Sequence, residues 1–219
     1  MTVIPFPVRR PEVEPLSFAI GARVDLRIGA LAAGVVRPRD GAEAFSYSQL
    51  ARLLRGARMA WRERGAHAGL ALALPADLPA GIDAQFLNEA AREAGCTKGL
   101  FGFELDEREI VRTGPVLAED LRAHGWGVIL RGDPACPLPL GARARSLYTE
   151  LVLDVSAAVG PFLALDGSDR TPFGQRVLAA RAAGVTLTAE TVRTAVEARQ
   201  LAIAGFDRGG GPFAEAGLR

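Results

Sequence analysis

Short apolar runs alternate with helical stretches along most of the chain. Strands are predicted at roughly 17–25, 30–37, 69–74, 99–104, 126–131, 149–154 and 185–189, with a weak eighth around Phe206. Helical periodicity is clearest from Ser46 to Arg64, where Leu50, Leu53, Leu54, Ala57 and Trp61 share one face at spacings of three and four. Asp83 to Ala94 and Glu107 to His124 follow the same pattern, with Gly95 and Gly125 as stops. A further helix is predicted from near Pro172 to Gly184, and a last one within Thr188 to Ala204. The short Arg27-Ile28-Gly29 turn joins the first two strands as an antiparallel hairpin. After it, strand and helix alternate in units of roughly 25–35 residues, which implies parallel strands. An α/β barrel of the TIM type fits this count better than an open sheet, but with an unusual antiparallel first strand.

Composition narrows the class. The 219 residues suffice for one domain with a sizeable core. Charge is nearly balanced at 26 basic against 25 acidic residues, so no global field calls for nucleic acid or an anionic membrane. Lys98 is the only lysine. Cys96 and Cys136 have neither metal-ligand spacing nor a disulfide-scaffold pattern and read as small apolar residues. His67 and His124 each lie near a helix end before a glycine, where a contact with the helix C-terminus is the ordinary role. Neither forms a nucleophile–base pair with a serine or cysteine.

Prolines at 5, 7, 11 and 15 make residues 1–15 an extended tail, whose Val3, Ile4, Phe6 and Val8 also allow a docking peptide. The barrel domain then spans 16–219. No stretch approaches 18 uncharged apolar residues and no signal-peptide pattern opens the chain, so a cytoplasmic protein without membrane insertion is expected.

Several segments carry a family resemblance by their order and spacing. Val185 to Thr194, followed by Glu197, Leu201 and Gly205-Phe206-Asp207, resembles the V-V-A-E-G-V-E-T run and G-C-D of EAL domains, the cyclic-di-GMP phosphodiesterase family. Gly209 to Phe213 is similar to a worn Q-G-Y-x-F, and Phe103 to Glu107 to the E-[IL]-T-E strand end. Arg131 to Asp154 matches the stretch from D-D-F-G-T-G to K-I-D without a gap, and Val24-Asp25-Leu26-Arg27 resembles V-D-L-R. The resemblance covers about residues 16–215 and implies the EAL-type barrel, which begins with an antiparallel strand.

The resemblance also implies where chemistry has been lost. Active members bind magnesium or manganese through several carboxylates and an asparagine, because hard cations need oxygen ligands and the attacking water must be activated. Here the E-A-L glutamate becomes Ala33 or Val35, the asparagine Ala73, the paired aspartates Arg131-Gly132, and the lysine Val152. The second glutamate of E-G-V-E becomes Arg193, and Glu104 and Glu190 alone remain as ligand equivalents. No functional metal site is expected. Arg131 is expected to replace the metal electrostatically by pairing with Glu104, Glu190 or both.

Three functions stay open. One is a non-catalytic signalling protein acting on a regulatory protein partner, through the tail or the 133–140 loop. Another is a metal-independent cyclic-di-GMP receptor, with Arg37 or Arg39 on the phosphate and Arg131 and Arg193 adding charge beside Glu104 and Glu190. The remote third is an enzyme with a rebuilt site. Three prolines in the 133–140 loop put both nucleotide binding and the family's homodimer in doubt.

Overall fold

Eight strands close into a barrel in the order β1 to β8. They span Phe18–Asp25, Leu31–Pro38, Gly69–Ala73, Phe101–Asp106, Gly127–Gly132, Glu150–Asp154, Thr186–Glu190 and Arg208–Gly210. This computed structural model describes residues 18–39, 46–79, 81–132, 144–156 and 172–216. The proline-rich 1–15 segment, the 133–140 loop and Cys136 lie outside the described residues.

The first strand is antiparallel to both neighbours, β2 and β8, while all other pairings are parallel. Asp25 makes the β1–β2 hairpin turn, its Oδ1 accepting from the backbone amides of Arg27 and Ile28 at 2.8 and 3.1 Å. Gly29, at φ 70°, completes a turn that residues with a Cβ rarely adopt.

Local chemistry sets the helix boundaries. Helix α1 (Tyr47–Glu63) starts on a capping box, in which Ser46 accepts from Gln49 N and the Gln49 side chain accepts from Ser46 N. Its buried face is Leu50, Ala51, Leu53, Leu54, Ala57 and Trp61, containing the predicted stripe. Asp83 caps α2 (Ala84–Glu93) through Phe86 N. The region from Glu107 to His124 is two helices rather than one, α3 (Glu107–Thr113) and α4 (Val116–Ala123). The pair Gly114-Pro115 divides them, because Gly114 takes φ 89° and proline cannot continue the hydrogen-bond ladder. After the short α5 (Ala144–Leu147) come α6 (Pro172–Ala183), α7 (Ala195–Ala204) and α8 (Pro212–Ala216). Helix α7 begins later than Thr188, which lies inside β7; its cap is Thr194, whose side chain accepts from Glu197 N. The weak eighth strand begins two residues after Phe206.

The main apolar core lies between sheet and helices. Phe101, Phe103 and Trp126 pack edge to face at 5.3–6.0 Å on the outer side of β4 and β5. The barrel interior has only a small apolar cluster, Ala71, Ile129 and Val152. Among its other inward positions are the polar Glu104, Glu150, Thr188 and Glu190, and these place the site. Among the described residues, no helix is long and apolar enough to cross a membrane.

Candidate functional site

Strand alternation aims Glu104 of β4, Glu150 of β6 and Thr188 and Glu190 of β7 into the barrel. Arg23 of β1 enters the same space and is 1% exposed. Its Nη2 donates to Glu104 Oε2 and, at 2.9 Å, to Glu190 Oε1, while Nη1 reaches Glu150 Oε1 at 3.4 Å. Thr188 Oγ1 donates to the same Glu150 oxygen at 2.6 Å. One guanidinium thus joins three carboxylates from three strands. Burial works against its charge, but Glu104, Glu150 and Glu190 outweigh that and hold Arg23 protonated beyond its ordinary range.

The carboxyl-terminal mouth lies above this centre. There Arg37, near the end of β2, donates to Glu190 Oε1 at 2.5 Å and stands 3.8 Å from Glu104 Oε1. Arg131 bonds Asp106 Oδ2 at 3.1 Å and stands 3.7 Å from the same Glu104 oxygen. That oxygen is buried between two guanidiniums without a hydrogen-bond partner among the described residues.

A cavity of about 350 Å³ opens beside this group, lined by Arg23, Arg37, Glu190, Thr191, Arg193 and Gly210, among others. Thr191 has φ 64°, and its hydroxyl donates to Asp154 Oδ1 at 2.6 Å. The resembling motif has glycine at this position, whereas here a β-branched residue takes the left-handed backbone.

The structure corrects the expected charge exchange in one respect. An arginine does sit among the carboxylates, but it is Arg23 that bonds both Glu104 and Glu190. Arg131 starts from β5, beside Asp106 of β4; it hydrogen-bonds that nearer carboxylate and keeps the expected ion pair with Glu104 at 3.7 Å, with no ion pair to Glu190 among the described residues. Arg39 falls beyond the last residue of β2 and is exposed, so it does not share Arg37's inward placement. Arg193 is exposed at the cavity rim, its backbone amide donating to Glu197 Oε2 at 2.8 Å. Ala33, Val35, Ala73 and Val152 are all buried and contribute no oxygen. Cys96 is half-buried, and burial pushes its thiol up to about 11, which suits a packing role.

Arg23, Glu150 and Arg208 were missed from sequence. The signal for Arg23 was an arginine alternating with apolar Ala22 and Val24, but strand parity alone does not say which face is the interior.

The Glu190 carboxyl titrates below the usual range, since Arg37 and Arg23 outweigh the opposing effect of burial. Asp154 is likewise held low, where hydrogen bonds from Thr191 and Ser156 outweigh burial. A depressed folded-state value gives stability that is present above the ordinary carboxylate pKa and is lost as pH falls through the folded one. The melting temperature should therefore hold from neutrality to about pH 4.5 and then fall. The Glu190→Gln variant should show a shallower acid decline; identical acid limbs in both proteins would refute the linkage.

No family model matches the sequence, and neither does any curated protein. Solved structures do match its fold. The EAL domain of Mycobacterium smegmatis DcpA aligns over 91% of this chain and 90% of its own, with a TM-score of 0.62 at 22% identity. The PaMucR phosphodiesterase in its c-di-GMP complex aligns over 90% and 93%, with a TM-score of 0.71 at 20% identity. Klebsiella pneumoniae BlrP1, in a calcium/cy-diGMP complex, aligns over 90% of this chain and 54% of its own, with a TM-score of 0.67 at 16% identity. The chain therefore has the EAL barrel fold, antiparallel first strand included.

Proposed function

We propose that this protein is a non-catalytic EAL-fold signalling module, acting in the cytoplasm through contact with a protein partner and hydrolysing no nucleotide. The observation that carries this reading is Arg23. A divalent cation would need the oxygens of Glu104 and Glu190, and a buried guanidinium already uses both. The other positions that the resemblance assigns to metal binding hold alanine, valine or arginine, so magnesium or manganese does not fit this residue set. No metal-assisted step is derived.

A metal-independent cyclic-di-GMP receptor is the second reading. It draws on the mouth cavity, where Arg37 and Arg193 could meet a phosphate beside the backbone of Gly210 and Gly211. The ion pair with Glu190 weighs against it, because a phosphate would have to share Arg37 with a carboxylate.

Calorimetry with cyclic-di-GMP, with and without magnesium, separates the readings, alongside a manganese-supplemented hydrolysis assay. No micromolar binding and no hydrolysis are expected. Binding that Arg37→Ala abolishes would establish the receptor instead. Turnover above trace would overturn both.

A further inference from the structure

The barrel has a second opening, at the amino-terminal ends of its parallel strands. A cavity of about 390 Å³ lies there, lined by the starts of β3 to β8 and by Ala33 of β2. Barrels of this kind fill their interior with layers of large side chains. Here the inward positions that β3, β4 and β5 contribute at this end begin with Gly69, Gly102 and Gly127. Gly102 is required by close strand approach, since a Cβ there would stand 2.8 Å from the Gly127 carbonyl oxygen. Gly127 is different. A Cβ there would make only contacts of 3.4 Å or more, so its bare backbone leaves space rather than relieving a clash.

The polar groups in this space converge on one kind of ligand. Arg208 Nη1 donates to Glu150 Oε2 at 2.6 Å, and the other Glu150 oxygen is taken by Thr188 and Arg23. Both carboxylate oxygens are therefore engaged. The remaining guanidinium donors of Arg208 and the Thr186 hydroxyl have no protein partner among the described residues. Arg122 adds a second positive charge to the lining, its Nε only 3.4 Å from the Ser146 carbonyl oxygen. Leu70, Ile129 and the exposed Leu100 supply apolar wall. Free donors, excess positive charge and an apolar wall within the volume range of small-molecule sites describe a pocket for an anion with an apolar body.

We propose that this end of the barrel is a ligand site for a small organic carboxylate, with Arg208 as the anchoring cation. The carboxylate matches the planar guanidinium fork, and its apolar body lies against the wall that ends at Leu100. This site is independent of the mouth, and it stands or falls separately from the reading given above.

Benzoate is the probe, with neutral benzamide as its control, titrated by amide-resolved NMR into the whole chain. Saturable shifts at residues lining the amino-terminal cavity are expected with benzoate. Benzamide should bind at least roughly tenfold more weakly, because it lacks the charge that Arg208 recognises. Arg208→Gln should cause a similar loss while leaving Glu150 bonded to Arg23 and Thr188. Ala33→Leu should also abolish binding, by filling the cavity; if that variant does not fold, Arg208→Gln and benzamide decide. Absence of saturable binding, equal binding of benzamide, or benzoate binding unchanged in Arg208→Gln would each overturn the proposal. So would loss of binding in Arg37→Ala with Arg208→Gln unaffected, because the anion would then lie at the mouth.

Discussion

Replacing Arg23 by alanine is expected to cost about 3–5 kcal/mol of stability, the usual penalty for removing one partner of a buried ion pair. The reason is what the substitution leaves behind. Glu104 is 0% exposed and Glu150 4%, and both would lose a guanidinium partner while buried. Glu104 already has one oxygen without a hydrogen bond, so its other oxygen depends on Arg23. For a domain of this size the penalty corresponds to a fall in melting temperature of roughly 6–20 °C. Arg131→Ala is the contrasting case. Its guanidinium is 31% exposed and its closest carboxylate is Asp106 at the rim, so the loss should be about 1 kcal/mol or less. Thermal unfolding of both variants checks the assignment. If Arg131→Ala proved the more damaging, Arg23 would not be the interior counter-charge.

Glu107→Ala should destabilise the fold by a similar amount, about 3–5 kcal/mol. Glu107 opens α3 directly after β4 and is 0% exposed, and its Oε1 accepts from Arg176 Nη2 of α6. The Arg176 side chain is 2% exposed. The pair ties the β4–α3 junction to a helix 69 residues away in sequence, and alanine at 107 would remove this carboxylate from a buried guanidinium. Glu107→Gln keeps an acceptor oxygen and should cost distinctly less. Chemical denaturation of the two variants separates charge loss from bond loss. A Glu107→Ala midpoint within error of the wild type would show that the pair does not secure the junction.

Much of the frame was legible because its signals are local. The stripe from Leu50 to Trp61, the helix starts near Ser46 and Asp83 and the Gly95 and Gly125 stops act within a few residues of themselves. The structure places them as read. The longer helix predicted from Glu107 to His124 failed for an equally local reason, because its apolar spacing continues across Gly114-Pro115 while the backbone cannot. In Thr188 to Ala204, apolar spacing likewise did not separate the end of β7 from α7.

The site was legible only in part. Glu104 and Glu190 were identifiable from resembling motifs, and Arg37 only as one of two alternatives with Arg39. An arginine among the carboxylates was a reasonable electrostatic demand, since buried carboxylates without a partner are costly. Which arginine answers it was not readable. Arg131 is near Glu104 in strand order, whereas Arg23 reaches Glu104, Glu150 and Glu190 across sequence separations of 81, 127 and 167 residues.

The sequence by itself determined the alternation of strand and helix, the hairpin at the start and the absence of oxygen-bearing side chains at Ala33, Val35, Ala73 and Val152. Only the tertiary structure decided that Arg23 fills the interior, that Arg131 divides between Asp106 and Glu104, and that an open glycine-lined cavity remains at the opposite end. Periodicity and capping are fixed by neighbours along the chain. The interior contacts are fixed by barrel closure, which brings β1 against β8 and sets which inward-facing charges come within reach of one another.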